Sequence, residues 1–128
     1  MVELNHTIVN VRSKEQSAKF FTEIFGLPAA KPFADFFLGV KLGAVTLDFC
    51  SADYQPEPQH YAFLVTDKEF DAIFRRIKKR GIDYWAEPDK TGKGRINRYW
   101  GGRGVYFEEP GGHFLEIITR PYGKWEDA

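Results

Sequence analysis

The stretch Gly104-Val105-Tyr106-Phe107-Glu108-Glu109-Pro110-Gly111-Gly112-His113-Phe114-Leu115-Glu116-Ile117-Ile118 decides how this chain folds. Pro110-Gly111-Gly112 is turn chemistry, because proline presets one backbone dihedral and glycine tolerates conformations other residues avoid. The aromatic and β-branched runs on either side read as two strands joined at that turn. Side chains alternate across a strand, so Phe114, Glu116 and Ile118 share one face while Leu115 and Ile117 share the other. A carboxylate is thereby set on a face otherwise built of Phe and Ile, where leaving it unpaired costs on the order of several kcal/mol. Glu116 therefore calls for a cation, a hydrogen-bond donor or a metal.

Working outward, Leu4 to Val11 alternates and reads as a strand with Leu4, His6 and Ile8 on one face. Ser13 with Gln16 is a capping-box pattern, and Ala18, Phe20, Phe21, Ile24 and Phe25 form a helical apolar stripe ending at Gly26 and Pro28. Phe33–Val40 and Ala44–Cys50 read as two strands joined around Leu42-Gly43, the second with Thr46, Asp48 and Cys50 on one face. Residues 51–59, with two prolines, form a connector. The pattern then restarts: His60–Val65 is a strand, Thr66 with Glu69 repeats the capping box, and Phe70, Ile73, Phe74 and Ile77 make a second stripe closed by Gly81.

His6 and His60, Ser13 and Thr66, and Gly26 and Gly81 recur at nearly constant spacing, which marks an internal duplication. The spacing from Asp48 to Glu116 is wider, and the excess falls in residues 87–103. That polar, glycine-rich segment is too long for a plain connection and reads as a substrate loop or lid. Two copies of a β-α-β-β-β unit follow, spanning 1–52 and 58–123 of a single domain that covers 1–128. The fold class is α+β, with two such modules forming a curved mixed sheet around a cleft. One helix covers one face of each sheet, so the residues of the other face are the informative ones. Alternation puts His6, Asp48, His60, Tyr106 and Glu116 there.

Length and composition set the bounds. The chain has 128 residues, of which 43% are hydrophobic and 16% aromatic, enough for a packed core. Eighteen basic and eighteen acidic residues cancel, leaving no bulk field to collect nucleic acid or an anionic membrane. The one cysteine, Cys50, excludes an internal disulfide framework and suits a reducing compartment. No apolar run is long enough to span a bilayer, so a cytoplasmic protein is expected.

Histidines that open the first strand of each repeat, and carboxylates at matching places on the last, are the side chains that hold Zn, Mn, Fe, Ni or Co. Singly, each has a blander reading: a core histidine, or a glutamate paired with arginine. Their agreement with an independently recognised repeat favours the metal. His113, in the turn before Glu116, reads as structural. The cations from Arg75 to Arg80 suit a helix C-terminus, and Cys50 reads as a buried thiol.

Leu4-Asn5-His6-Thr7, Gln59-His60-Tyr61-Ala62-Phe63, and above all Tyr106-Phe107 through Pro110-Gly111-Gly112-His113-Phe114-Leu115-Glu116 resemble the vicinal oxygen chelate superfamily. It contains glyoxalase I, extradiol dioxygenases, fosfomycin resistance thiol transferases and bleomycin-sequestering proteins. The resemblance covers nearly the whole chain and implies a metal-binding cleft with His6, His60 and Glu116 as ligands on the first, fifth and eighth strands. It makes Asp48 a base or outer group, Tyr106 a catalytic residue near the metal, and Trp100, Arg120 and Tyr122 substrate contacts where the pocket closes. It further implies one divalent metal ion per site and a homodimer in which one chain supplies His6 and the other His60 and Glu116. Sequence alone leaves open whether the ligands pair that way or within one chain. The expected function is a metal-dependent enzyme acting on a small oxygen-bearing substrate, by lyase or isomerase, thiol-transfer or dioxygenase chemistry, with glutathione or another thiol as a partner in the transfer branch. The alternative is a non-catalytic protein that sequesters a small molecule, as bleomycin-resistance proteins do.

Overall fold

Ser13 caps the first helix by accepting from the Gln16 backbone N–H, and Gly26, in the left-handed region at φ 69, closes it. At the second helix the capping box is complete: Thr66 accepts from the Glu69 N–H, and the Glu69 carboxylate accepts from the Thr66 N–H. The structure, a computed structural model, describes residues 1–123. Its elements are β1 (His6–Val11), α1 (Lys14–Phe25), β2 (Lys31–Phe33), β3 (Phe37–Leu42), β4 (Val45–Ser51), β5 (His60–Leu64), α2 (Asp67–Lys79), β6 (Tyr84–Trp85), β7 (Gly104–Glu108) and β8 (Phe114–Ile118), with a short 3-10 turn at Tyr99–Gly101.

Two four-stranded sheets result, in the orders β1-β4-β3-β2 and β5-β8-β7-β6. In each the outer pair β1/β4 or β5/β8 is parallel and the remaining pairs are antiparallel. The α+β architecture of two β-α-β-β-β modules read from the sequence is the one found. The chain divides into two compact units, Met1–Pro58 with Glu109–His113, and Gln59–Glu108 with the chain from Phe114 on.

In the first unit α1 buries Ala18, Phe21 and Ile24 beside Val9, Val11 and Phe49, with the Phe21 and Phe49 rings 5.0 Å apart. In the second, α2 buries Phe70, Ile73 and Ile77, while Val105, Phe107, Leu115 and Ile117 point to the same interior. Each fully buried aliphatic or aromatic side chain contributes roughly 1.5–3 kcal/mol.

One expected strand is corrected. Phe33–Val40 is not continuous: Ala34 and Asp35 take positive φ values of 52 and 65, so the segment turns back and pairs Lys31 with Gly39 and Phe33 with Phe37. Asp tolerates the left-handed region, but Ala does not announce it, and without a glycine beside it the turn is not legible.

The Pro110-Gly111-Gly112 turn is locked into the first unit by a buried carboxylate. Glu109 is 3% exposed; it accepts from the Ser17 hydroxyl at 2.7 Å and from the His113 N–H at 3.0 Å. His113, itself buried, makes a 2.7 Å contact from Nε2 to the Asn10 carbonyl, as the structural reading expected. Around this lock there is no room at Gly111, where a Cβ would sit 2.7 Å from Glu109 Oε2 and 2.9 Å from Val11 Cγ1. Gly111→Ala should therefore destabilise the protein by about 1–3 kcal/mol in urea unfolding, and a change below about 0.3 kcal/mol would show that the turn is loosely held.

Candidate metal centre and substrate face

In the second unit the register pairs Ala62 and Tyr106 with Glu116, and Trp85 with Tyr106. These residues, with His60 and Phe114 one step along, share the sheet face opposite the helix. Ala62 is small, so His60 reaches across it and brings Nε2 to 3.1 Å from Glu116 Oε1. The other ring nitrogen, Nδ1, lies 3.1 Å from the Phe114 carbonyl. Both nitrogens thus face acceptors, whereas a neutral imidazole carries one N–H. With Nδ1–H donated to the carbonyl, Nε2 presents a lone pair toward a carboxylate oxygen, and the contact needs a proton or a metal cation between them. An imidazole held by one nitrogen on a backbone carbonyl, with the other beside a carboxylate, is a donor set that fits a divalent metal.

Tyr106 adds a second group at Glu116. Its phenol is held above the ordinary tyrosine value, first by burial, then by the charge of Glu116 and the hydrogen bond to it. In the protein alone Tyr106 is therefore an O–H donor rather than a phenolate base.

Beside this pair the face is a wall of flat rings. Tyr106 and Phe114 stack with centroids 5.4 Å apart, His60 stacks on Tyr106 at 5.7 Å, and Trp85 lies 6.1 Å from Phe114. Lys90 covers the far end, with Nζ 5.1 Å from the Trp85 centroid, 5.7 Å from that of Phe114 and 2.6 Å from Glu108 Oε1. Neither Trp85 nor Lys90 was singled out from the sequence: a strand of two residues carries no readable alternation.

In the first unit the same register is filled differently. Ile8 and Gly39 flank Asp48 where Ala62 and Tyr106 flank Glu116. His6 turns its Nδ1 to Asn5 Oδ1 at 2.7 Å, and the branched Ile8 stands where Ala62 lets His60 reach its carboxylate. Asp48 is 3% exposed and borders a cavity of about 450 Å³ with His6, Lys31, Lys41 and Thr46. Among the described residues, no group of three His, Cys, Asp or Glu side chains gathers to hold a metal ion.

The expected substrate contacts lie in the 3-10 turn and after β8. Arg120 donates to the Thr119 carbonyl at 2.8 Å and lies 3.6 Å from Asp67 in the first turn of α2. Tyr122 is exposed beyond β8. Trp100 is exposed and takes a left-handed backbone, φ 60, in the 3-10 turn. The 87–103 segment is folded into short turns. Ala86 and Glu87 donate to Gly92 and Thr91, and Asn97 pairs with Gly104 through both backbone groups. The Asn97 side chain donates to the Ala86 carbonyl at 2.7 Å. Arg103, at its end, bonds Asp71 at 2.7 Å and Asp67 at 3.2 Å while lying over the Phe70 ring.

The raised Tyr106 phenol has a measurable consequence. A carboxylate beside a phenol disfavours the phenolate, so in metal-free protein Glu116→Gln should move Tyr106 part of the way back toward 10.0, the burial contribution remaining. Ultraviolet titration, read as the difference from Tyr106→Phe, measures this. An unmoved or higher midpoint would mean Glu116 does not act on Tyr106.

Comparison with known proteins places the chain. Residues 3–117 match the Glyoxalase/Bleomycin resistance protein/Dioxygenase superfamily. The solved structure of oxidase ChaP-H1 is 53% identical to this chain, covers 97% of it and 100% of itself, and superposes with a TM-score of 0.93. Oxidase ChaP-H2 is 48% identical, with 96% and 97% covered and a TM-score of 0.91. Glutathione transferase FosA of Serratia marcescens is 28% identical over 123 residues, 89% of this chain and 78% of that protein. All three bear the names of enzymes, in keeping with the enzyme expected from the sequence. Among the described residues no helix is long and apolar enough to cross a membrane. By its matched residues, its strand order and the motif around Glu116, the chain belongs to the Glyoxalase/Bleomycin resistance protein/Dioxygenase superfamily.

Proposed function

We propose that this chain is a metal-dependent oxidase acting on a small, flat, oxygen-bearing substrate. The observation that carries the reading is the His60 ring set between the Phe114 carbonyl and Glu116 at 3.1 Å each, beside a wall of stacked rings. The two oxidases that resemble the chain over nearly its full length support the oxidative branch. The resemblance to FosA supports thiol transfer as a second reading.

In this reading His60 and Glu116 hold one divalent ion, Zn, Mn, Fe, Ni or Co, and the third ligand is His6 from a second copy of the chain. Ile8 and Leu64, exposed by 51% and 61% on the two open faces, are apolar surface that a second copy would cover. The ion would act as a Lewis acid on two substrate oxygens. The remaining work belongs to side chains. The Phe114 carbonyl fixes the His60 tautomer and ring orientation. Tyr106 donates a hydrogen bond at Glu116 and keeps its proton. The rings of Tyr106, Phe114 and Trp85 seat a planar substrate by stacking. Asp48 accepts a proton from a substrate hydroxyl.

Metal analysis of protein purified without added ions, beside the Glu116→Ala variant, tests the site. The wild type should carry about one ion per chain, and loss of a ligand should lower metal affinity at least as much as loss of an outer partner, by about 10–100-fold. Equal metal content in both proteins would remove the site. Oxygen uptake without added thiol would favour the oxidase, and strict dependence on glutathione the transferase. Ligand binding unchanged by chelator would leave the sequestering protein.

A further inference from the structure

The two sheets superimpose their registers but not their chemistry. In the second, Glu116 lies 3.1 Å from His60 Nε2 and beside the Tyr106 phenol, its register partner. In the first, the equivalent carboxylate, Asp48, has neither neighbour. Its histidine, His6, is turned to Asn5, and the position that corresponds to Tyr106 is Gly39. Asp48 is 3% exposed, and among the described residues no hydrogen-bond or ion-pair partner is found for it. No fully buried side-chain oxygen is left without a partner among the described residues, so the Asp48 carboxylate opens on the cavity, where a ligand hydroxyl can reach it.

The missing side chain leaves space in its place. A Cβ on Gly39 would stand 3.5 Å from Asp48 Oδ1 and 3.5 Å from Thr46 Cγ2, so the volume a tyrosine would fill is instead part of the 450 Å³ cavity. Register fixes what surrounds it. Lys31 is paired with Gly39, and Lys41 with Thr46, so both lysines rise from the same face as Asp48. Neither has a carboxylate partner among the described residues, and Phe33 and Pro32 close an apolar side.

An unanswered carboxylate on the floor asks for a hydroxyl; two unpaired ammonium groups at the mouth ask for an anion. We infer that this cavity of the first unit binds a hydroxylated arene or enol bearing an anionic oxygen group, the hydroxyl donating to Asp48 and the anionic group lying between Lys31 and Lys41. The ligand takes the place beside Asp48 that Tyr106 takes beside Glu116 in the second unit. This deepens the proposed reading, in which Asp48 meets a substrate hydroxyl on the open face of the first sheet, and it requires no metal.

The test uses full-length protein stripped of metal, with 3,4-dihydroxybenzoate, catechol and benzoate as probes, measured by calorimetry or ligand-observed NMR. The dihydroxybenzoate should bind more tightly than either catechol or benzoate. Lys31→Met with Lys41→Met should weaken it about tenfold or more and leave catechol within about twofold. Gly39→Leu, which fills the space without altering charge, should weaken both hydroxylated probes. A dihydroxybenzoate affinity unmoved by the double lysine variant, or benzoate binding as well as its dihydroxy analogue, would overturn the proposal. Because no metal is present, these outcomes stand apart from the metal analysis: failure there with binding intact here would remove the metal alone.

Discussion

The candidate site depends on one constraint: the His60 ring has an acceptor at each nitrogen. The Phe114 carbonyl and the Glu116 carboxylate both stand 3.1 Å away, and a neutral ring can satisfy only one by donation. The side chains are 47% and 14% exposed, so water screens the contact from one side only. A proton can resolve the arrangement, but it gives a partly exposed ion pair of small worth. A divalent cation uses both the lone pair and the carboxylate, and it accounts for a glutamate held among rings.

The second theme is a duplication kept in the backbone and broken in the side chains. Strand order and register repeat, so Asp48 and Glu116 occupy equivalent places. Replacement of Tyr106 by Gly39, and of Ala62 by Ile8, then gives the two carboxylates opposite surroundings. Glu116 is crowded by an imidazole and aromatic rings, whereas Asp48 opens on a cavity edged by lysines. One fold thus offers a place suited to a cation and a place suited to an acidic hydroxyl.

Much of this was legible because strand alternation is rigid. The face of Glu116 followed from the run Phe114 to Ile118, and the faces of His6, His60, Asp48 and Tyr106 from the repeat. The helices were readable from capping residues and stripes, and His113 from its place in the turn. What escaped were places where alternation breaks. The turn at Ala34 and Asp35 lies inside an apparently continuous strand, so the reading lost the register that puts Lys31 and Lys41 beside Asp48. The pair Tyr84-Trp85 is too short to show a period, so the aromatic wall and its Lys90 cap were missed. Arg120 reads as a cation for a substrate oxyanion or for a salt bridge, and sequence does not reveal that Asp67, some fifty residues earlier, lies 3.6 Å from it. The 87–103 segment reads as a substrate loop or lid, and its sequence does not show the paired backbone groups and the buried Asn97 that hold it in short turns.

The most direct test of the His60 and Glu116 centre is anomalous diffraction from crystals of the protein saturated with a divalent ion, with data on both sides of its absorption edge. The expected result is a peak about 2.0–2.2 Å from both His60 Nε2 and a Glu116 carboxylate oxygen. A peak elsewhere, or none while the ring and carboxylate remain in direct hydrogen-bonded contact, would contradict the assignment of these residues as metal ligands.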